Sequence, residues 1–530
     1  MGLALFFFYL LTTSGHGPYG DEKHYVKVAE NILMHGRPIL EEIQRRADGQ
    51  VLTTANYSWL PLGQSLLLLP FAALELMTRE LFPAALWFIP HLVLNCLPAA
   101  ESAAICALLF LLIRLSGRFR TELSLSLRGA LAAALATGLA TQLWPASRTL
   151  FADLSAALLL LFAVYSLVQF RHAHAGIGWA LAAAWAAALA VLCKNTFILP
   201  VPALSAYGAW TIVERKKNRP INKDLIYLIC MAALPFILVA VAQLGFNHLR
   251  YGSIWLSGYH ERREGEFGFS NPLWAGLYGI LLSPGRSLFL YSPLCLLAFF
   301  GARKFFRSAP AEAALLAGMS LPLLFTYAKW WAWDGGWEWG NRFHLFLIPL
   351  LMWLSTSAWA WLGRKSLPAA ARRAYQGSLI LLIALSVYVQ GLGVLIHPAA
   401  YWAMAGADEM SILIQRGYEK GVWDIRDNML LLHYVPQFSP LAAHHWLIWA
   451  TWNRYRLDER ALAASAPWYS LNPKWAPKNV SPYLGFDLWF LQVRAEETAA
   501  RYATILIAAL LIVMISLAII RLKASITDSS

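Results

Sequence analysis

Residues 144–170, "WPASRTLFADLSAALLLLFAVYSLVQF", join a polar turn to a long apolar run with one acid near its head. The run has the length at which a helix crosses a hydrocarbon core. It lacks the two-residue alternation of a barrel strand, which favours a helix. Similar runs recur along the 530 residues, which are 58% hydrophobic and only 14% charged. The sequence therefore predicts an all-α polytopic membrane protein.

Counting the apolar runs gives about 12 transmembrane helices. One further run, at about 58–78, would invert the later loops if it crossed the membrane, so we interpret it as an interfacial or re-entrant segment. The predicted spans are about 2–13, 84–113, 129–144, 152–170, 177–193, 197–213, 225–246, 287–300, 311–328, 343–362, 375–396 and 502–520.

Basic residues collect in alternate loops, as the positive-inside rule expects of cytoplasmic loops. This places both termini in the cytoplasm and explains the net charge of +13 without nucleic acid. The clusters are Arg114/Arg118/Arg120/Arg128, Arg215/Lys216/Lys217/Arg219/Lys223, Arg303/Lys304/Arg307, Arg364/Lys365/Arg372/Arg373 and Arg521/Lys523.

This topology divides the chain into three parts. A transmembrane catalytic region at 1–396 contains a first external loop at about 14–83 with interfacial helices. An external Trp-rich segment follows at 397–501, and a last transmembrane helix with a cytoplasmic tail occupies 502–530. The tryptophans suit either a membrane-interface belt or stacking on sugar or lipid.

Acidic residues stand at the predicted external ends of two helices. Asp21 and Glu22 open an amphipathic segment, and Asp153 stands at the mouth of the span at 152–170. Asp is also a favoured N-cap, so the segment alone leaves capping and catalysis open. Ionisable groups at such positions are nevertheless functional candidates. We therefore take Asp21, Glu22 and Asp153 as catalytic candidates.

Further polar groups are predicted on the same face. For a phosphate we expect basic side chains, which stabilise phosphoryl oxygens. These candidates are Lys194, Arg250, Arg286 and Arg342. Candidates for binding the rest of the substrate are Tyr25, Tyr57, Tyr259, His260, Asp334 and Glu338. No nucleotide-binding or zinc motif is visible in the sequence.

Several segments, taken in order, resemble the polyprenyl-phosphate-dependent branch of the GT-C glycosyltransferases. That branch includes protein O-mannosyltransferases and lipid A aminoarabinose transferases, and the resemblance covers about 1–365. It rests on "GDEKHY", "NYSWLPLGQSLLLLP", "SRTLFAD", "CKNTFILP", "FNHLRYGSIWLSGY", "LYGILLSPGRSLFLYSPL" and "WDGGWEWGNRFHLFLIP". The family's His-Pro-Pro-Leu segment is replaced here by Trp59-Leu60-Pro61-Leu62.

The resemblance implies a multi-pass protein of the bacterial plasma (inner) membrane with its active site on the external, periplasmic face. Asp21 would deprotonate an acceptor hydroxyl, supported by Glu22, Asp153 would match the second external acid, and Lys194 would lie near the lipid phosphate. The donor would be a sugar on a polyprenyl phosphate such as undecaprenyl phosphate, and the acceptor a lipid, glycan or protein. With one base and no covalent intermediate, we expect inversion at C1.

Two questions stay open at this point. Asp21 and Asp153 could hold Mg²⁺ or Mn²⁺ through oxygen ligands, although we expect no obligatory metal. The alternatives to a monosaccharide transferase are a lipid-linked sugar flippase or transporter, and an oligosaccharide ligase or polymerase. A transporter needs polar groups near mid-bilayer with access from both sides, whereas the candidates here cluster on one face.

Overall fold

A computed structural model describes residues 1–47, 50–173, 176–215, 223–258, 268–336, 338–361, 368–398, 400–401, 432–458, 461, 465, 484–492 and 498–527. Within these ranges the chain is mainly helical. The helices are α1 (Gly2–Leu11), α2 (Asp21–His35), α3 (Gly63–Leu81), α4 (Phe88–Phe119), α5 (Leu127–Leu139), α6 (Leu143–Ala146), α7 (Ala152–His172), α8 (Gly178–Cys193), α9 (Val201–Arg215), α10 (Lys223–Tyr251), α11 (Leu273–Leu282), α12 (Leu288–Tyr291), α13 (Leu297–Ser308), α14 (Pro310–Lys329), α15 (Leu347–Leu354), α16 (Thr356–Ala360), α17 (Ala369–Leu395), α18 (Pro440–Asn453) and α19 (Thr498–Thr527).

In the described part of the chain, seven helical segments are long and apolar enough to cross a membrane. They are Ala84–Phe119, Ala152–His172, Asn195–Arg215, Cys230–Tyr251, Pro310–Lys329, Ala369–Leu395 and Thr498–Ala524. Shorter apolar helices are α1, α5, α8 and α11. The chain is therefore a multi-pass membrane protein, and the count of about 12 spans stays a prediction.

Two predicted spans are divided into short helices. The span at 287–300 breaks where Pro293 follows Ser292, because proline supplies no backbone N–H to continue a helix. The span at 343–362 breaks at Ser355, between α15 and α16. There the Thr356 hydroxyl donates to the Trp353 carbonyl at 2.5 Å, a local bond that competes with helix continuation.

The loop between α2 and α3, which the sequence predicts to be external, contains a short β-hairpin within this mainly helical chain. Strands β1 (Glu41–Ala47) and β2 (Gln50–Asn56) pair antiparallel, with Glu41 opposite Asn56. The sequence between them is Asp-Gly, a strong hairpin signal that the search for apolar runs overlooked. Interfacial helices were predicted here, and α2 and α3 do flank the hairpin. The helix α3 is not among the segments suited to spanning.

One close backbone contact ties the first loop to the membrane helices. A Cβ on Gly63, the first residue of α3, would lie 2.5 Å from the backbone of Leu192 and Cys193 at the end of α8. Only glycine allows this approach. It holds α3 directly beside Lys194, the residue that follows α8.

Candidate functional site

The Asp21 side chain pairs with an arginine from a distant segment. Gly20 is the N-cap of α2, and no side chain caps this helix. The Asp21 carboxylate instead accepts a hydrogen bond from Arg342 Nη2 at 2.9 Å, with its side chain 21% exposed. The first turn of α2 thus presents Asp21 toward Arg342.

Asp153 lies on the other side of the same arginine. It is the second residue of α7, and its side chain is 7% exposed. One carboxylate oxygen accepts a hydrogen bond from the Lys194 ammonium, and the other is 3.8 Å from Arg342 Nε. The two acids and two basic groups, Asp21, Asp153, Lys194 and Arg342, form one cluster, called here the acid–base cluster.

Arg342 is held by its local turn and by an aromatic ring. A short 3-10 turn begins after Asn341, whose amide oxygen caps it and whose amide nitrogen donates to the Trp333 carbonyl. The guanidinium lies 4.4 Å from the centre of the Phe151 ring. Burial by itself lowers the pKa of Arg342, but Asp21 and Asp153 outweigh burial and raise it. The guanidinium therefore stays charged.

Lys194 is enclosed by aromatic rings. Its ammonium lies 4.3 Å from the centre of the Phe343 ring and 5.2 Å from that of Tyr327, and these two rings stack on each other. Burial lowers the pKa of Lys194 to about 8, although Asp153 opposes this shift. A lysine of this kind carries its charge at neutral pH and loses it in mildly alkaline solution.

Glu22 and Glu338 lie next to the cluster. The two carboxylate oxygens of Glu22 accept the backbone N–H groups of Leu150 at 2.9 Å and of Tyr19 at 3.2 Å. The Tyr19 hydroxyl is 3.5 Å from Glu338 Oε1. Burial and the nearby Glu338 raise the pKa of Glu22, and burial raises the pKa of Glu338 to about 7 against the opposing charge of Arg342. Glu22 thus joins the first loop to the segment that leads into α7.

Two of the predicted phosphate-binding arginines contact the backbone instead. Arg250 donates to the carbonyls of Ser58 and Leu60, next to the Trp59-Leu60-Pro61-Leu62 segment. Arg286 is completely buried and donates to the carbonyls of Glu338 and Gly340. Arg286 therefore presents no exposed nitrogen to a phosphate in this structure, and both side chains brace loops around the cluster.

The predicted substrate-binding residues fall in different places. Asp334 is buried, and its Oδ2 is 3.6 Å from His433 Nε2. Tyr25 is buried in the hydrophobic core, and Tyr57 is partly exposed beside Ser58. Tyr259 and His260 lie outside the described residues.

A second charged group was missed by the sequence interpretation. Asp487 accepts hydrogen bonds from Arg148 at 2.7 Å and from His16 at 2.9 Å. Burial opposes ionisation, but His16 and Arg148 hold the pKa of Asp487 well below its usual range. Arg148 lies in the "SRTLFAD" segment, and His16 lies five residues before Asp21. The sequence gives no sign that either residue contacts an acid more than 300 positions away.

The Asp487 group and two residues next to the acid–base cluster line one small cavity. A cavity of about 20 Å³ is lined by Tyr19 and Glu338 on one side and by Arg148 and Asp487 on the other. It has room for about one water molecule. Among the described residues, no group of three His, Cys, Asp or Glu side chains is arranged to hold a metal.

No family model matches the chain, and no curated protein matches it. ArnT from Cupriavidus metallidurans bound to undecaprenyl phosphate is a similar solved structure, 15% identical with a TM-score of 0.46. The match covers 86% of this chain and 80% of that chain. Its apo state is also 15% identical, with a TM-score of 0.43, covering 85% and 77%.

The archaeal oligosaccharyltransferase AglB from Archaeoglobus fulgidus, in complex with an inhibitory peptide and a dolichol-phosphate, is also similar. It is 12% identical with a TM-score of 0.44, over 76% of this chain and 57% of AglB. The TM-scores of these three matches are below 0.5, so the likeness is distant.

Proposed function

We propose that this chain is a membrane glycosyltransferase that moves a sugar from a polyprenyl phosphate to an acceptor hydroxyl on the external, periplasmic face. The observation that carries the proposal is the acid–base cluster, in which Arg342 faces both Asp21 and Asp153 while Lys194 pairs with Asp153. Asp153 lies in the first turn of α7 and Lys194 follows α8, whereas Arg118 and Arg307 lie in the last turns of α4 and α13, which we assign to the opposite, cytoplasmic face. Acids, bases and aromatic rings at one membrane face suit a phosphorylated sugar presented from the bilayer.

The donor phosphate would bind to Arg342 and Lys194. Charged donors placed where a leaving phosphate develops charge stabilise the transition state, especially away from bulk water. Arg342 binds the Asp21 carboxylate at 2.9 Å. A phosphate on Arg342 would compete for that guanidinium and release Asp21. Donor binding would thereby free the base at the moment it is needed.

Asp21 would then act as the general base. The acceptor oxygen attacks C1 of the sugar and its proton passes to the Asp21 carboxylate. The bond between C1 and the phosphate oxygen breaks, and the polyprenyl phosphate leaves with the electron pair. Of the two acids, Asp21 is the more exposed, at 21% against 7% for Asp153. Attack opposite the leaving phosphate inverts C1, because no covalent enzyme intermediate intervenes.

Asp153 and Glu22 would support this chemistry without contacting the acceptor, by positioning Lys194 and the start of α7. Asp153 compensates the buried Lys194 ammonium, which burial alone would push toward its neutral form. Glu22 holds the backbone at Leu150, three residues before Asp153. A divalent cation would need carboxylates that here pair with Arg342 and Lys194, so the residues present do not favour a metal.

A lipid-linked sugar flippase is the main alternative. It would need polar groups inside the membrane with access from both sides. The ionisable Glu101 lies within α4, but Ser155 and Gln64 enclose it in a packed interior. An oligosaccharide ligase or polymerase would use the same acid–base cluster and differs in the length of the transferred glycan.

The test is sugar transfer by the purified protein in liposomes containing synthetic undecaprenyl-phosphate sugars. Release of undecaprenyl phosphate with a new glycoside of inverted anomeric configuration by NMR is expected, and activity should survive treatment with EDTA. Retained configuration would contradict the role of Asp21. Transbilayer movement of the lipid-linked sugar without chemical change would favour the flippase.

A further inference from the structure

A second potential binding site lies outside the acid–base cluster. A cavity of about 430 Å³ opens between the end of α3 and the beginning of α4, and Gly17 and Pro18 of the first loop close one side. We call it the α3–α4 groove. Its walls include Leu86, Trp87 and Leu94, which are apolar. Its polar groups include Glu75 and Arg79, one helical turn apart on α3.

Glu75 is the unusual residue of this groove. Its side chain is 2% exposed, and one carboxylate oxygen pairs with Arg79 Nε. Its other oxygen, Oε2, has no hydrogen-bond partner within the described part of the chain. A buried carboxylate oxygen without a partner is costly, so a donor from outside the chain would stabilise it. Burial raises the pKa of Glu75 to about 7 even though Arg79 opposes the shift.

The surrounding charges are separated but balanced. Arg79 Nη2 also pairs with Glu30 at 3.1 Å, and Lys27 lies 3.5 Å from Glu30 on the outer side. Two carboxylates therefore face two cations. The Arg79 side chain is 51% exposed at the mouth of the groove, whereas Glu75 lies inside. A neutral ligand with separated charges fits this arrangement better than a net cation or anion.

The position of the groove points to a lipid. Trp87 stands at the beginning of α4, at the end opposite the basic residues Arg114 and Arg118, where tryptophans mark the membrane–water interface. Phospholipid head groups lie at this level. Side chains at i and i+4 of a helix have Cβ atoms about 5–6 Å apart, which suits the two charges of a phosphoethanolamine group.

We propose that the α3–α4 groove binds a zwitterionic phospholipid whose head group carries a primary ammonium. The ammonium donates to Glu75 Oε2, the phosphate contacts Arg79, and an acyl chain lies along Leu86, Trp87 and Leu94. The site is separate from the acid–base cluster and does not depend on the proposed sugar transfer.

Native mass spectrometry of the full chain in detergent tests this binding. Phosphatidylethanolamine, phosphatidylcholine and phosphatidylglycerol are added separately at equal concentrations. We expect preferential retention of phosphatidylethanolamine and an affinity about tenfold lower for Glu75→Gln, because a charge-assisted hydrogen bond is lost. The matched control is Glu80→Gln, which removes an exposed acid from the same helix and should bind as the wild type does.

Two results would overturn the proposal. One is equal retention of phosphatidylcholine or phosphatidylglycerol by the wild type, because neither carries a primary ammonium. The other is unchanged phosphatidylethanolamine binding by Glu75→Gln. Should Glu75→Gln fail to fold, Ala84→Trp fills the groove from an exposed position and leaves Glu75 in place. Loss of phosphatidylethanolamine in that variant supports the site, and undiminished binding contradicts it.

Discussion

At the scale of single residues, the position of Asp21 at the start of a helix is compatible with either helix capping or catalysis, and the structure separates these two roles. An aspartate at the start of a helix is a plausible cap, yet here Gly20 occupies the cap position and the Asp21 carboxylate binds Arg342. Helix α2 ends at Gly36, whose left-handed φ of 65° suits glycine. The helix therefore does not depend on the Asp21 side chain for capping.

This separation makes Asp21→Asn an informative variant. Asparagine keeps an oxygen for Arg342 but cannot accept the acceptor proton as a base. We expect the transfer rate to fall by about 10²–10⁴-fold, the usual contribution of general base catalysis. Thermal unfolding in detergent should stay close to that of the wild type. The neighbouring exposed Lys23→Gln is the control, and activity of Asp21→Asn within threefold of the wild type would remove Asp21 from the mechanism.

Lys194 predicts how donor binding depends on pH. Its pKa of about 8 in the folded chain means that its charge is present at neutral pH and lost as the pH rises through 8. The KM for the lipid-linked donor should therefore rise above pH 8, with a smaller change in kcat. Lys194→Arg keeps its charge at high pH and should move this alkaline limit upward. A KM profile identical in both proteins would show that Lys194 does not bind the phosphate.

The acid–base cluster was partly predictable at this scale. The sequence predicts Asp21, Asp153, Lys194 and Arg342 as site residues because ionisable groups at helix ends on one membrane face are functional candidates. Arg286 was chosen on the same ground, but it donates to backbone carbonyls. The sequence shows at which end of a helix an arginine lies. It does not show which group the guanidinium contacts, because that depends on how distant segments pack.

At the scale of elements, helices α3, α4 and α7 share a buried hydrogen-bond network. Gln64 Nε2 donates to the Leu150 carbonyl at 3.1 Å, which directs Gln64 Oε1 toward Ser155. The Ser155 hydroxyl is 2.6 Å from that oxygen and 2.5 Å from Glu101 Oε1. One hydroxyl supplies one proton, so if Ser155 donates to Gln64, the second bond needs a proton on Glu101. The network therefore indicates a neutral Glu101.

A neutral Glu101 should tolerate replacement by its amide. In Glu101→Gln the side-chain N–H can donate to Ser155 in place of the carboxyl O–H, so stability and transfer rate should stay near the wild type. Glu101→Ala leaves a cavity between α4 and α7 and should destabilise the protein by about 2–4 kcal/mol. Thermal unfolding and transfer assays measure both variants. If Glu101→Gln lost as much stability or transfer rate as Glu101→Ala, Glu101 would be ionised or would take part in the transfer reaction.

Two other elements, the hairpin and the break at Pro293, could not be predicted from apolar runs alone. The hairpin of β1 and β2 was missed because a search for apolar runs gives no signal for strands outside the membrane. The division at Pro293 follows from proline chemistry that apolar length alone ignores. The long apolar run at 152–170 was predicted well, because its length and composition both match a helix that crosses the membrane.

At the scale of the whole molecule, the segment at 484–492, called here the C-terminal strap, ties distant parts of the chain together. Asp487 N–H donates to the Leu395 carbonyl at the end of α17, and Trp489 N–H donates to the Thr13 carbonyl after α1. The Trp489 ring stacks on Phe88 at the beginning of α4. These contacts join residues hundreds of positions apart, so no local pattern in the sequence predicted them.

The charged centre of the strap predicts a strong effect on stability. The Asp487–Arg148 pair is buried on both sides, with side chains 2% and 5% exposed. Removing Asp487 leaves the Arg148 charge buried without its carboxylate, which typically costs about 3–5 kcal/mol, whereas removing Arg148 leaves Asp487 paired with His16. We therefore expect Asp487→Asn to lower the free energy of unfolding by about that amount at pH 7, and Arg148→Gln to lower it by less. The exposed Asp458→Asn should have little effect.

A double-mutant cycle in detergent measures the coupling of this pair. The variant carrying both Asp487→Asn and Arg148→Gln should lose less than the sum of the single losses, because it contains no unpaired buried charge. The pKa of Asp487 is lowered by folding, so its stabilising contribution is present above the usual aspartate range and is lost as the pH falls through the lowered value. The single Asp487→Asn loss should consequently persist from neutral pH down to about pH 4. Additive losses in the cycle would show that the strap is held by Trp489 and the backbone, and that the charges are incidental.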